Sequence, residues 1–471
     1  MRDVPRRVAA SVQESLDRAG VIEAARLTET MDLAWPRIVT GFAIMSKQTV
    51  DLAYVGWAVG SEAVAGLAFA YAYWMLAKYL AIGIAGGTVS LVSQNYGGDA
   101  TGRAATVVTQ SVWVSLVLVA PLVVAFVFFS DPLVALFDGG PVPTTAGATY
   151  LTFVAPGLAF EFLNLIASRT YAGIGDTYTP MVARAGGGAL NIVISGVLVV
   201  AGFGVAGVAL GTAISTAVVL VVLAWGMTGR TYGVLGMQPS PVTVTDATDV
   251  LDRGLATQLA RISAPLIARR VLEGVVVFPL LWIAATFGPV VVGAFEVGRR
   301  IRALINSVSW GFSIASSTLV GQALGAGDET EAAAAGWAII RLSVVVYVVV
   351  AALVILVPTP LAKLFVSEPA KVAQAVVFIQ VGAVSAILRG IDGSATGALR
   401  GAGDTTWPFV ASVTGRYLFA LPIAFVGYLT PLGVTGLYLA LMLEAVVPGL
   451  INLWRFRSNR WRAVSRAYRP S

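Results

Sequence analysis

Long apolar stretches alternate with short polar breaks along nearly the whole chain. A helix that crosses the hydrocarbon core of a bilayer needs about 20 mostly apolar residues. Twelve segments meet that requirement, near 33–56, 63–92, 105–129, 147–168, 180–200, 205–227, 263–287, 290–320, 337–357, 373–398, 407–428 and 434–453. A polar stretch carrying Pro239, Pro241, Asp246, Asp249 and Asp252 separates the sixth from the seventh. The pattern predicts an all-α polytopic membrane protein. Its expected parts are a cytosolic leader helix (1–32), a six-helix bundle (33–228), a cytosolic linker (229–258), a second six-helix bundle (259–453) and a basic cytosolic tail (454–471).

Charge sets the expected orientation. With twelve spans and a cytosolic start, the external loops lie near 57–62, 130–146, 201–204, 288–289, 358–372 and 429–433. They contain no Arg and only Lys363 and Lys371, whereas the tail carries Arg455, Arg457, Arg460, Arg462, Arg466 and Arg469. Basic residues accumulate on the cytoplasmic side of membrane proteins, so both termini are expected in the cytoplasm of a multi-pass cell-membrane protein. No apolar stretch follows directly on the basic start, so no signal peptide is visible.

Composition then removes chemistries. Of 471 residues 57% are hydrophobic and 12% charged, about half the roughly 25% charged of a soluble domain. Disorder, a coiled coil and an ordinary soluble enzyme are excluded. The net charge of +6 fits positive-inside loops rather than nucleic-acid binding. With no Cys and no His, thiol catalysis, iron–sulfur clusters, Ser-His-Asp triads and histidine-ligated haem are ruled out. No Gly-x-x-x-x-Gly-Lys-Ser/Thr loop exists for ATP. No cofactor is expected, and proton or cation chemistry falls to Asp, Glu, Tyr, Arg or neutral oxygens.

The two halves repeat. Ser90-Leu91-Val92-Ser93-Gln94 recurs as Thr318-Leu319-Val320-Gly321-Gln322, and Gly175-Asp176-Thr177 with Pro180 recurs as Gly403-Asp404-Thr405 with Pro408. Gly83 recurs as Gly311, and Gly60 as Gly288, always at an offset of 228 residues. Six spans per repeat is an even number, so the halves share one orientation, related by an axis along the membrane normal. A cavity between two like halves is a transporter arrangement.

At this point the chain resembles a known family. Pro36, the Asp51-Leu52-Ala53-Tyr54-Val55-Gly56 stretch, the paired Leu-Val-x-Gln motifs and Leu399-Arg400-Gly401-Ala402-Gly403-Asp404-Thr405 look like multidrug and toxic compound extrusion (MATE) transporters. They are most similar to the DinF-like prokaryotic branch. The resemblance implies two pseudo-symmetric six-helix bundles and a secondary active exporter. Small organic cations would leave by alternating access, in antiport with Na+ or H+. A monomer in the lipid bilayer is expected to suffice.

The coupling-site candidates are Asp51, Asn191, Ser195, Thr212, Glu273 and Asp392. An ionised carboxylate at mid-membrane costs about 2.5–3.5 kcal/mol by insertion scales, so Asp51 should face a cavity or a partner. The resemblance places Asp51 at the family's first-helix aspartate and Asn191 at the start of its Asn-x-x-x-Asp pattern. Here the fourth position is Ser195, a hydroxyl that shares the helix face with Asn191 but does not ionise. Asp51 and Asn191 are the expected Na+ ligands if the coupling ion is Na+. Glu273 and Asp392 match acidic positions of the second half, but Arg269, Arg270 and Arg389 stand one turn away and offer ion pairs. Glu161, Glu296 and Glu444 also lie in or near spans, and Arg300 offers Glu296 a partner. Tyr71, Trp74, Trp282 and Trp310 could stack on flat cationic compounds. The repeated Gly-Asp-Thr motifs read as turns whose Asp caps the next helix. A lipid-linked precursor flippase of a related superfamily is the alternative function, suggested by Arg299, Arg300, Arg302, Arg389 and Arg416. A membrane-embedded enzyme is disfavoured because Asp246, Asp249 and Asp252 suit a solvated helix face.

Overall fold

The computed structural model describes residues 11, 13–233, 235–244 and 252–468. Arg2, Arg6, Arg7, Asp246, Asp249 and Arg469 lie outside them. No strand occurs among the described residues. The first six spans are α1 (Ala24–Ala58), α2 (Ser61–Gly97), α3 (Thr101–Phe128), α5 (Pro141–Gly173), α6 (Tyr178–Leu198) and α7 (Gly204–Met227). The short α4 (Ser130–Ala135) lies between the third and fourth. The second six are α8 (Arg253–Val275) continued by α9 (Val277–Thr286), α10 (Pro289–Gly325), α11 (Glu329–Leu356), α13 (Pro369–Gly401), α14 (Thr406–Val413) continued by α15 (Leu421–Leu429), and α16 (Thr435–Arg457). The short α12 (Pro358–Lys363) repeats α4, and α17 (Trp461–Ser465) lies in the tail. The fold is thus twelve transmembrane helices in two pseudo-symmetric bundles.

Most helices overrun the apolar stretches that announced them. Apolarity marks the bilayer slab, and a helix continues past it wherever small or polar residues tolerate helical geometry. The leader departs from the expected single helix. It turns at Gly20, whose φ is +65°, and the helix of the first span already begins at Ala24. Leu16, Ile22, Leu27 and Leu33 pack there on Phe312, Leu319, Ile339 and Leu342. The described part of the tail packs on the second unit. Arg455 is buried, and the Phe456 and Trp461 rings stack at 5.2 Å.

Contacts divide the chain into two compact units. One is Pro36–Ile267; the other is Ala268–Arg469 together with Met1–Trp35. Both divisions fall inside a helix, one before Pro36 and one just after Pro265, rather than in the 229–258 stretch.

In the first unit α2 packs on α5, and α5 on α7. A Cβ on Gly66 would lie 2.1 Å from the Pro143 carbonyl oxygen, and one on Gly147 would lie 2.6 Å from the Gly66 oxygen. The missing side chains let two backbones touch, the way helices associate where no hydrophobic drive acts between them. In the second unit α10 packs on α13, and α13 on α16. The repeated motifs meet at matching crossings. A Cβ on Gly173 would press Val92 at 2.8 Å, and one on Gly401 would press the Ser317 oxygen at 2.6 Å. The Leu-Val-x-Gln motifs therefore carry packing.

Two π-helical stretches break the regular pattern. Val199–Phe203, with Gly202 at φ +92°, turns the fifth span into the sixth. Thr414–Ala420 lies within the eleventh span and presents Arg416.

Candidate functional site

In the first unit one pocket gathers side chains from five spans. Helix α1 contributes Lys47 and Asp51, one turn apart; α2 contributes Tyr71, Trp74 and Lys78; α5 contributes Tyr150, Glu161 and Asn164; α6 contributes Arg184; and α7 contributes Thr212, Ser215 and Thr216. The cavity has a volume of about 70 Å³. A water needs roughly 10–15 Å³, so the space suits a few waters or one charged headgroup.

Asp51 is 1% exposed. Thr212 Oγ1 lies 3.5 Å from its carboxylate. The Asn191 amide satisfies both neighbours in one orientation: its Nδ2 donates to Asp51 at 3.1 Å, and its oxygen accepts from the Thr212 hydroxyl at 3.1 Å and the Thr212 N–H at 3.0 Å. Three sequence candidates from three helices thus form one cluster. Ser195 does not join it. It is fully buried against α7, where a Cβ on Gly211 would meet its Oγ at 2.2 Å.

Glu161 sits in the same pocket and is fully engaged on one side. Lys78 Nζ and Arg184 Nη2 both reach its Oε1, at 2.7 and 2.8 Å. The Tyr71 and Tyr150 rings meet edge to face at 5.4 Å.

The second-half acids lie in a separate arginine network within the second unit. Arg269 spends every donor nitrogen on a different partner: Nε on Glu273 at 2.9 Å, Nη1 on Thr396 at 2.9 Å and Nη2 on Asp392 at 2.9 Å. Asn452 donates to Asp392 at 2.7 Å. Arg270 binds Glu273 at 2.8 Å. Arg416 lies 3.4 Å from Glu273 and 3.4 Å from Glu444, which Arg302 also holds at 2.6 Å. Arg389 approaches Asp392 at 3.7 Å. The ion pairs that the helical spacings offered are therefore made, and Glu273 and Asp392 act as anchors for arginines. Glu296 pairs with half-buried Arg299 and exposed Arg300, at 3.3 and 3.4 Å.

The aromatic candidates divide. Tyr71 and Trp74 line the pocket. Trp282 is 55% exposed beside Tyr428, ring centroids 5.6 Å apart, and Trp310 is half-buried on α10. Of the Gly-Asp-Thr turns, Asp176 accepts from the Thr179 N–H at 2.9 Å as a cap. Its repeat mate Asp404 instead binds Arg455 Nε at 2.7 Å.

Sequence reasoning missed Lys47, Lys78, Arg184 and Tyr150. Lys47 carried a readable signal, since an ionisable residue inside a span is a site candidate by default. The convergence of Lys78 and Arg184 on Glu161 carried none, because their helices meet only in the tertiary fold.

Twelve helices in two repeated bundles, with a charged pocket inside one of them, define a secondary-transporter class of membrane protein. The family model described as MatE matches residues 36–197 and 265–426, repeating the motif offset to within one residue. The chain belongs to the MatE family of multidrug efflux transporters, and it is a transporter rather than an enzyme. It is 28% identical over 441 residues to the probable multidrug resistance protein NorM of Rhodopseudomonas palustris, covering 91% of both chains. Its fold matches the crystal structure of MATE in the straight conformation with a TM-score of 0.84 at 20% identity, over 93% of this chain and 96% of that one. A MOP superfamily transporter from Pyrococcus furiosus matches with a TM-score of 0.83 at 21% identity, over 93% of this chain and 96% of that one.

Proposed function

We propose that the protein exports small organic compounds in exchange for an inward-moving proton, and that Asp51 carries the proton. One observation supports this reading above the others. Among the described residues, Asp51 is the buried acid with no Lys or Arg nitrogen within 4.0 Å, whereas Glu161, Asp392, Asp404 and Glu444 each have one. A carboxylate locked in an ion pair resists protonation; one held by an amide N–H can accept it.

Asn191 suits both protonation states. Ionised Asp51 accepts from the amide Nδ2. Protonated Asp51 can donate to the amide oxygen once that group turns over, which leaves Nδ2 at 3.1 Å from Thr212 Oγ1. A Na+ ion would need several oxygen ligands, and with Nδ2 donating to Asp51 the Asn191 amide supplies none of them; only the turned-over orientation would.

The cycle follows from linkage. A cationic group of the cargo and a proton compete for Asp51, so each lowers the affinity for the other. Alternating access of the two bundles then exchanges them across the membrane. The repeat supports a monomer as the working unit, and the loop charges support cytoplasmic termini. The flippase alternative is weaker, because Arg302, Arg389 and Arg416 each face a carboxylate within 4.0 Å.

Reconstitution in liposomes tests the coupling. Uptake of a fluorescent organic cation should follow an imposed pH gradient and ignore an imposed Na+ gradient. Uptake driven by Na+ alone would sink the proton assignment and restore Asp51 and Asn191 as Na+ ligands.

A further inference from the structure

The buried ion pairs of the second unit form one connected network. Arg389 and Arg269 share Asp392 Oδ2, and Arg269 passes on to Glu273. Arg416 links Glu273 to Glu444, and Arg302 ends on Glu444. Arg270 adds a second contact to Glu273. Five guanidiniums thus face three carboxylates, and each member lies well inside its span. A buried charge surplus at membrane depth is costly unless something anionic joins it.

The surplus centres on Arg389. Asp392 Oδ2 lies 3.7 Å from it and is already bound by Arg269 at 2.9 Å. Among the described residues the Arg389 guanidinium makes no hydrogen bond. Arg302 and Arg416 stand near enough to repel it. The Arg416 side chain is 4% exposed, and its Nε is buried without a hydrogen-bond acceptor. The other cations of the unit are provided for. Arg270 is half-exposed and keeps water, and buried Arg400 donates to Ser317 Oγ at 3.2 Å and the Ser313 carbonyl oxygen at 2.8 Å.

We propose that a chloride ion sits among Arg302, Arg389 and Arg416 and completes the charge balance of the second bundle. Arginine offers five donors and no acceptor, and here three guanidiniums from the eighth, tenth and eleventh spans gather. The packing beside Arg389 favours a small ion. One turn on, a Cβ on Gly393 would lie 1.8 Å from Ser309 Oγ, and one on adjacent Gly390 would lie 2.5 Å from the Tyr347 ring. Helices this close suit a monatomic anion better than an oxyanion that carries an organic chain. The site lies in the other unit from Asp51 and does not depend on proton antiport.

Thermal unfolding of the purified full-length protein tests this. Chloride replaces gluconate while sodium is held constant. The wild-type midpoint should rise by several degrees along a saturable curve, as for any ligand that binds the folded state alone. Arg389→Gln removes the surplus charge, so it should melt higher than wild type in gluconate and lose the response to chloride. Arg389→Lys should keep the response. Bromide should substitute for chloride, and crystals grown in bromide should show an anomalous peak beside Arg389. That peak needs no variant, so it stands even where Arg389→Gln folds poorly. Equal wild-type midpoints in the two salts would overturn the proposal. So would a chloride response that survives Arg389→Gln, or bromide peaks confined to the protein surface, which would mean an adventitious ion only. A loss of stability in Arg389→Gln that is equal in both salts would make Arg389 a counter-charge for Asp392 and nothing more. A response to inorganic phosphate without one to chloride would replace the halide site with an oxyanion site.

Discussion

Arg269 and Asp392 are 123 residues apart in the chain and 2.9 Å apart in the fold. That contact ties the seventh span to the tenth, and the same guanidinium reaches Glu273 and Thr396. Arginine suits the task because its planar fork presents several fixed donors and keeps its charge at any relevant pH.

Breaking that pair should cost stability rather than coupling. Removing one partner of a buried ion pair strands the other, at about 3–5 kcal/mol. Asp392→Asn should lower the thermal midpoint in detergent by several degrees, and adding Arg269→Met should recover part of the loss. Gradient-driven transport per folded molecule should survive. Full stability with lost coupling would instead make Asp392 a cation site.

Asp51→Asn should leave the fold intact and abolish gradient coupling. The amide is nearly isosteric and keeps partners in Asn191 and Thr212, but it takes up no proton. In the wild type, affinity for a cationic dye should fall as pH falls, because the proton displaces the cationic group. A titration of dye binding against pH should be flat in the variant. A pH response unchanged from wild type would move the coupling site elsewhere.

Two glycines should respond oppositely to alanine. A Cβ at Gly66 meets the Pro143 oxygen at 2.1 Å, while one at Gly186 meets nothing within 4 Å. Overpacking of this kind costs roughly 1–3 kcal/mol, whereas an open helical glycine gains up to about 1 kcal/mol on becoming alanine. Thermal melts of Gly66→Ala and Gly186→Ala should therefore move down and slightly up.

The repeated turns should no longer be equivalent. Asp176→Ala removes a cap to Thr179, worth about 1 kcal/mol. Asp404→Ala strands buried Arg455, and should cost more. Equal shifts in thermal midpoint would mean that the Asp404–Arg455 pair contributes nothing beyond a cap.

Much of the fold could be read from the chain because the bilayer is a demanding solvent. Backbone groups in hydrocarbon must be satisfied within the segment, so each long apolar stretch has one outcome, a helix. The helix count followed, and so did the duplication, whose constant offset survives in Gly and Pro positions that geometry constrains. The pairings of Arg269 and Arg270 with Glu273 were legible for a related reason, since a helix places residues three and four apart on one face. The short α4 and α12 were not legible. Each is a single turn or so, with no period to read.

The sequence by itself determined the architecture, the repeat and the candidate acids, all properties of local periodicity and of burial cost in a membrane. Only the tertiary structure decided which acids are free. Asp51, Glu161 and Asp392 are each the one carboxylate of an apolar span, although Lys47 and Arg389 stand one turn from the first and the third. Their difference comes from side chains on other helices: Thr212 and Asn191 around the first, Lys78 and Arg184 around the second, Arg269 and Asn452 around the third. Electrostatic partnership acts over a few ångströms of space and is indifferent to distance along the chain.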